Sequence, residues 1–177
     1  MNKLASLLLA VVVSLFPLVV LGAGGLQFDG ETYAKQFIHN SPELRLAEYV
    51  RGNETVDNWT KLVAVRNYTK LSDPETAAND LAKALLKQNP QAKFQILTAN
   101  DGSGAQIDFL TWTDDAGYLE FNIHRYLKVE GYPGLISYQF AYRLTDTSPP
   151  AMETFKRNRE RWIGKMVKAE FEIDFDK

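Results

Sequence analysis

His39 and His124 are the two side chains of this 177-residue chain whose ordinary pKa lies near neutrality. His124 falls in the run Tyr118 to Val129. There Leu119, Phe121, Ile123, Leu127 and Val129 alternate with Glu120, Asn122, His124, Tyr126 and Lys128. On a strand this puts His124 on the polar face, with Glu120 as the nearest same-face carboxylate to orient it as a general base. The pattern predicts an exposed strand histidine, and His39 gains no partner from its neighbours in sequence. Two arginines break their apolar surroundings. Arg125 lies between Ile123 and Leu127, and Arg159 follows Phe155 by one helical turn, close to Trp162. A buried guanidinium needs an acceptor, and Glu48, alternating with Leu46 and Val50, is a group of the same kind. Two readings follow: internal ion pairs or snorkelling side chains, or an anion-binding pocket between sheet and helix drawing on Glu48, Arg125, Arg159 and Trp162.

Other chemistries find less support. The chain has no cysteine, which removes disulfides, thiolate catalysis and Cys-ligated metals. It has no Gly-x-Ser-x-Gly elbow, no His-Glu-x-x-His, no phosphate-binding glycine loop and no dinucleotide fingerprint. Gly102-Ser103-Gly104 reads as a turn, and Asp114-Asp115 lacks the spaced oxygen set of a calcium loop. A carboxylate pair for glycoside cleavage is set by space rather than by spacing, and nothing in the sequence selects one. No metal, cofactor or catalytic residue is therefore expected.

The N-terminus has the build of a secretory signal peptide: Lys3, an apolar run from Leu4 to Leu21, then Gly22, Ala23, Gly24 and Gly25. Cleavage after Ala23 fits best, although the run is long enough to invite comparison with a membrane anchor. Residues 24–177 then form one domain of 154 residues, with 19 basic and 22 acidic side chains and a net charge of −3. That balance argues against nucleic acid as a partner. No other stretch reaches membrane-spanning length, so the expectation is a soluble periplasmic or secreted protein. Absence of cysteine suits a bacterial periplasm, and the sequons at Asn53, Asn58 and Asn67 read as chance there.

The elements that must position these residues follow from periodicity. Leu26 to Asn40 is ambiguous, an irregular lead-in or one short helix. Leu44 to Arg51 reads as a strand, and Trp59 to Tyr68 as another with Trp59, Val63 and Val65 on one face. Asp73 caps a helix with Pro74 in its first turn, ending before Pro90. Phe94 to Ala99 and Gln106 to Thr113 flank a turn. Tyr118 to Val129 and Leu135 to Leu144 alternate, and Asp114 to Gly117 turns the chain before them. A last helix runs from about Ser148 to Lys168 with Met152, Phe155, Trp162, Ile163 and Met166 in one stripe. The tail Ala169 to Phe175 alternates and is a possible further strand. These elements predict an α+β domain, an antiparallel sheet with two helices packed on one face as a two-layer sandwich.

Two surfaces offer contact with a partner. The last helix is basic, with Lys156, Arg157, Arg159, Arg161, Lys165 and Lys168 against Glu153 and Glu160. Such a face suits an anionic membrane surface, an acidic envelope protein or simply solvent. Tyr132, beside Pro133 at a hairpin tip, is the other candidate.

The segment Glu48 to Val65, EYVRGNETVDNWTKLVAV, resembles one found in small exported proteins of Gram-negative bacteria without assigned activity. The order of elements is also similar to Mog1/PsbP-like domains, which implies helices on an antiparallel sheet and carries no catalytic residues with it. The sequence thus favours an exported, non-enzymatic binding or accessory factor of the cell envelope, its partner a small anion or an envelope protein. Two rivals stand beside it: a small hydrolase or isomerase using His124 or a carboxylate, and an inhibitor or immunity-type protein acting through the Tyr132 hairpin.

Overall fold

Alternation of apolar and polar residues drives most of the chain into strands, and each strand pairs antiparallel with its neighbours. The computed structural model describes residues 25–112 and 117–176. The predicted signal peptide and the Asp114-Asp115 turn lie outside the described residues. Eight strands, β1 (Leu26–Phe28), β2 (Glu31–Asn40), β3 (Leu44–Arg51), β4 (Lys61–Tyr68), β5 (Phe94–Thr98), β6 (Gly104–Trp112), β7 (Leu119–Leu127) and β8 (Leu135–Leu144), make one sheet. Its order is β1-β2-β3-β4-β8-β7-β6-β5, two meanders joined where β4 meets β8. The α+β class and the antiparallel sheet are as the sequence led one to expect.

The ambiguous stretch from Leu26 is a hairpin, not a helix. Asp29 at φ 52° and Gly30 at φ 81° turn the chain between β1 and β2. Two left-handed residues in succession stop a helix and favour a tight hairpin.

Helix α1 (Pro74–Gln88) begins as its sequence dictates, with the Asp73 side chain accepting from the Thr76 N–H at 2.7 Å. Its buried residues Ala77, Ala78, Leu81, Ala82 and Leu85 pack on Ala105, Ile107, Phe109, Tyr126 and Leu135. Helix α2 (Pro149–Val167) packs Phe155, Trp162 and Met166 among Phe121, Ile123, Phe140 and Tyr138. Cross-strand register pairs Ile107 with His124 and Asp108 with Ile123. Alternation along β7 then sends His124 and Tyr126 to one side of the sheet, and Ile123 and Phe121 to the other. The two helices therefore lie on opposite faces, and the expectation that both share one face is corrected. Both faces carry apolar positions on β6 and β7, so each can bury a helix.

The α2 face is the better sealed. The tail after α2 runs extended without joining the sheet, and its alternation buries Phe171 and Phe175 beside Phe28, Tyr138 and Arg45. Trp59 does not share a face with Val63 and Val65 as expected. It precedes β4 and packs with Val50, Leu62, Ala64 and Ala141 on the α1 face, because the Gly52 to Thr60 loop folds back over that side. Asn67 is buried, its amide donating to the carbonyls of Pro133 and Leu135.

Candidate functional site

The two irregular arginines both lie between α2 and the sheet, Arg125 on β7 and Arg159 on the helix itself, and each is engaged by the protein itself. Arg125 donates to the Met166 and Ala169 carbonyls, at 3.2 and 2.7 Å, which closes the C-terminal end of α2. Arg159 pairs with the buried Asp108 and sits 5.8 Å from the Phe121 ring centroid. Burial pushes the Asp108 carboxyl up, with Arg159 pulling in the other direction. Trp162 is 1% exposed and belongs to the core. Glu48 is on the opposite face, so the structure does not bring it to the two arginines.

The acceptor that the sequence did not reveal is Asp29, in the β1–β2 turn. Its carboxylate takes hydrogen bonds from the Trp162 Nε1 at 2.7 Å and from Arg161 Nε and Nη2 at 3.0 and 2.8 Å, with Lys165 Nζ at 2.7 Å. Burial raises the cost of its charge, yet these donors outweigh it and hold the carboxyl well below the usual range. No periodicity marks residue 29. Its one sequence signal is the Asp-Gly pair of a hairpin turn.

On the α1 face, the middle of the sheet between α1 and the Trp59 loop is polar and only partly covered, with Asn122 and Gln139 buried and the charged side chains around them partly exposed. A chain of hydrogen bonds crosses it there. Arg66 donates to Gln139 Oε1 and, at 3.4 Å, to Glu48. Gln139 donates to Asn122 Oδ1 at 2.8 Å, and Asn122 donates to Glu120 at 3.1 Å. Arg143 closes the chain on Glu120 at 3.2 Å, its guanidinium 3.8 Å from the Trp59 ring centroid and 4.7 Å from that of Tyr118. Alternation places all these positions on one side of β3, β4, β8 and β7. Small residues Ala64, Ser137 and Ala141 line the floor.

His124 belongs to this face but is half-buried rather than exposed. It is stacked between Phe109 and Tyr126 at 5.9 and 6.2 Å. Burial, aided by the Arg66 charge, pushes its imidazole down to about 3, so the ring is neutral at physiological pH. Among the described residues its Nδ1 finds no hydrogen-bond partner. Glu120, four residues away along an extended strand and so about 13 Å distant, is spent on Asn122 and Arg143. The acid–base couple suggested by spacing does not assemble. Glu48 is pushed up by burial, with Arg66 offsetting part of that.

The predicted contact surfaces divide. Lys156, Arg157 and Arg161 are exposed on α2; Lys156 pairs with Glu153 at 2.6 Å and Arg157 donates to Thr154 at 3.2 Å. Tyr132 is partly buried against the core, its hydroxyl donating to the Ile173 carbonyl at 3.4 Å, because the tail passes over it. It is not the free tip that the sequence suggested. A shallow depression of about 400 Å³ at the N-terminus of α2, lined by Tyr142, Asp146, Phe155 and Asn158 among others, includes none of the predicted site residues. Among the described residues no three His, Cys, Asp or Glu side chains group as metal ligands, and no described helix is long and apolar enough to cross a membrane.

Among solved structures, the chain is similar to a mutant of the protein Mog1, at 14% identity with 89% of this chain and 95% of that one covered and a TM-score of 0.51. It is also similar to the Saccharomyces cerevisiae Ran-binding protein Mog1p, at 14% identity, 78% and 82% coverage and a TM-score of 0.47. At that identity the first likeness establishes the fold alone, in agreement with the topology described above. No curated protein matches the chain. A protein-family model matches residues 22–171, and the chain belongs to that family, with a Mog1-like fold.

Proposed function

We propose that this protein is exported, loses Met1 to Ala23 as a signal peptide, and acts in the cell envelope as a non-enzymatic binding factor that meets an acidic protein through α2. The observation behind this is a separation of charge. The whole chain has a net charge of −2, yet the outer side of α2 exposes Lys156, Arg157, Arg161, Lys165 and Lys168 with only Glu153 and Glu160 among them. Asp29 offsets one of the two charges on Arg161 and Lys165. The helix is held to the sheet by Phe155, Trp162 and Met166, each contributing on the order of 1.5–3 kcal/mol by burial. Its charges are thus presented on a rigid element, which lowers the ordering cost of association. Attraction of this kind chiefly sets encounter rate and partner choice, and it weakens with salt.

The test is expression of the full chain in a Gram-negative host, followed by N-terminal sequencing of the fractionated protein. A photo-crosslinker at Arg157 then reports contacts. A mature start near Gly24 in the periplasm and a crosslinked acidic protein, lost on reversing Lys156, Arg157 and Lys168 to Glu, are the expected results. An uncleaved cytoplasmic chain overturns export. Binding to vesicles of anionic but not neutral lipid, without a protein crosslink, replaces the protein partner with the membrane surface.

A further inference from the structure

We infer that the polar strip on the α1 face is a second binding site, built for a neutral polyhydroxylated ligand, a short saccharide. Its charges cancel: Glu48 and Glu120 stand against Arg66 and Arg143. Neither a free anion nor a free cation gains from it, because each sign is already neutralised within one hydrogen bond. The strip is polar and partly open, with Glu48, Arg66, Glu120 and Arg143 side chains 20, 14, 24 and 21% exposed. The bonds left unmade here are those of Glu48, Ser137 Oγ and His124 Nδ1, and a buried polar atom without a partner carries a desolvation cost.

The hydrogen-bond directions narrow the ligand. Gln139 and Asn122 are fixed in orientation, each accepting from one side and donating to the other. Glu48 is short of donors: among the described residues its one side-chain hydrogen bond comes from Arg66 at 3.4 Å, near the limit for such a bond. A hydroxyl is the one common group that donates and accepts at the same atom. Set between Glu48 and Arg66, it donates to the carboxylate while accepting from the guanidinium, completing both without separating them. An amino-acid zwitterion would instead have to pull the pair apart. Beneath the strip, Ser137 Oγ and His124 Nδ1 are shielded from water and find no partner among the described residues. From β3 to β7 the strip crosses three strand spacings, about 14 Å, which suits a short chain of rings better than one.

The test titrates the full-length mature protein with maltotriose and with chitotriose at millimolar concentration, followed by amide chemical shifts. Glycine and inorganic phosphate serve as comparison probes. The expected result is saturable shifts for Glu48, Arg66, Gln139 and Asn122 with at least one trisaccharide, weakened at least tenfold in Glu48→Leu and Arg66→Met. Thermal unfolding of both variants, checked first, ensures that a folded protein is being titrated. Glu48→Gln, which keeps a hydrogen-bonding group, should lose less than Glu48→Leu. Absence of shifts at the strip with both trisaccharides overturns the proposal. So does a response to glycine or phosphate that matches or exceeds the saccharide response.

Discussion

The indole N–H of Trp162 donates to the carboxylate of Asp29 at 2.7 Å, which ties the first turn of the described chain to the last helix across 133 residues. Arg161 and Lys165 meet the same carboxylate. Removing Asp29 leaves a buried indole donor without an acceptor and two cations without their counter-charge. Asp29→Ala should therefore cost about 2–4 kcal/mol in urea unfolding. Asp29→Asn, which tolerates the left-handed backbone, should cost less. The carboxyl is held well below its unfolded value of about 3.9, so its contribution is complete above that pH and is lost as pH falls. Asp29→Asn should accordingly flatten the acid limb of stability below about pH 4.

His124 produces a second acid limb at higher pH. The native ring titrates near 3 and the unfolded ring near 6.5, so the native state binds fewer protons between those values. Stability is full above about pH 6.5 and falls as pH drops toward 3, by up to roughly 1.4 kcal/mol per unit. His124→Phe keeps the stacking on Phe109 and Tyr126 and should remove this slope. Urea unfolding at several pH values between about 7 and 4 measures it.

Arg159 and Asp108 test whether the arginines between α2 and the sheet are structural. Arg159→Leu strands a buried carboxylate and should cost about 3–5 kcal/mol. Adding Asp108→Leu removes the stranded charge and should recover most of that loss. A thermal-shift series over the two single variants and the double variant reads the coupling. Recovery in the double variant marks the pair as an internal ion pair.

Gly134 has no tolerated replacement. Its φ is 76°, and a Cβ there would lie 2.0 Å from the Tyr68 carbonyl oxygen and 2.7 Å from the Thr69 carbonyl carbon. Both obstacles are backbone, so neither can swing aside. Gly134→Ala should cost more than 3 kcal/mol, with Gly131→Ala, which meets open space, well below it despite its own positive φ. Circular dichroism melts separate the two.

The strands with clean alternation were legible in the sequence, and so was α1, because Asp73, Pro74 and a helical apolar stripe agree at one place. The stripe of α2 was legible too. Arg125 and Arg159 stood out for the same reason: a charge in an apolar register is visible without coordinates. Which face each helix covers was not legible, because β6 carries apolar residues on both sides, Ile107 and Phe109 on one and Leu110 and Trp112 on the other, and alternation alone cannot say which side meets α1. Asp29 escaped because its role depends on α2 folding back over a turn at the far end of the chain. The polar strip escaped for a related reason: Glu48, Arg66, Gln139, Asn122, Glu120 and Arg143 come from four strands whose order the sequence does not reveal.

That strand order governs how the molecule can form. Within each meander, strands adjacent in sequence pair through short turns, which close in microseconds when they are local. The seam differs: Tyr68 meets Leu135 and Lys61 meets Tyr142, pairings 67 and 81 residues apart. Until β8 arrives, β4 presents a long, apolar, unpaired edge, the kind that recruits foreign strands. Because β8 follows β4 by more than 60 residues, no polypeptide that has yet to extend past β8 can cover that edge. Gly134, packed against Tyr68 where the seam begins, lets the final strand pass close enough to zip it shut. Long sequence separation makes this seam the slow pairing of the sheet, and the interval before it closes is when the chain most needs shelter from its neighbours.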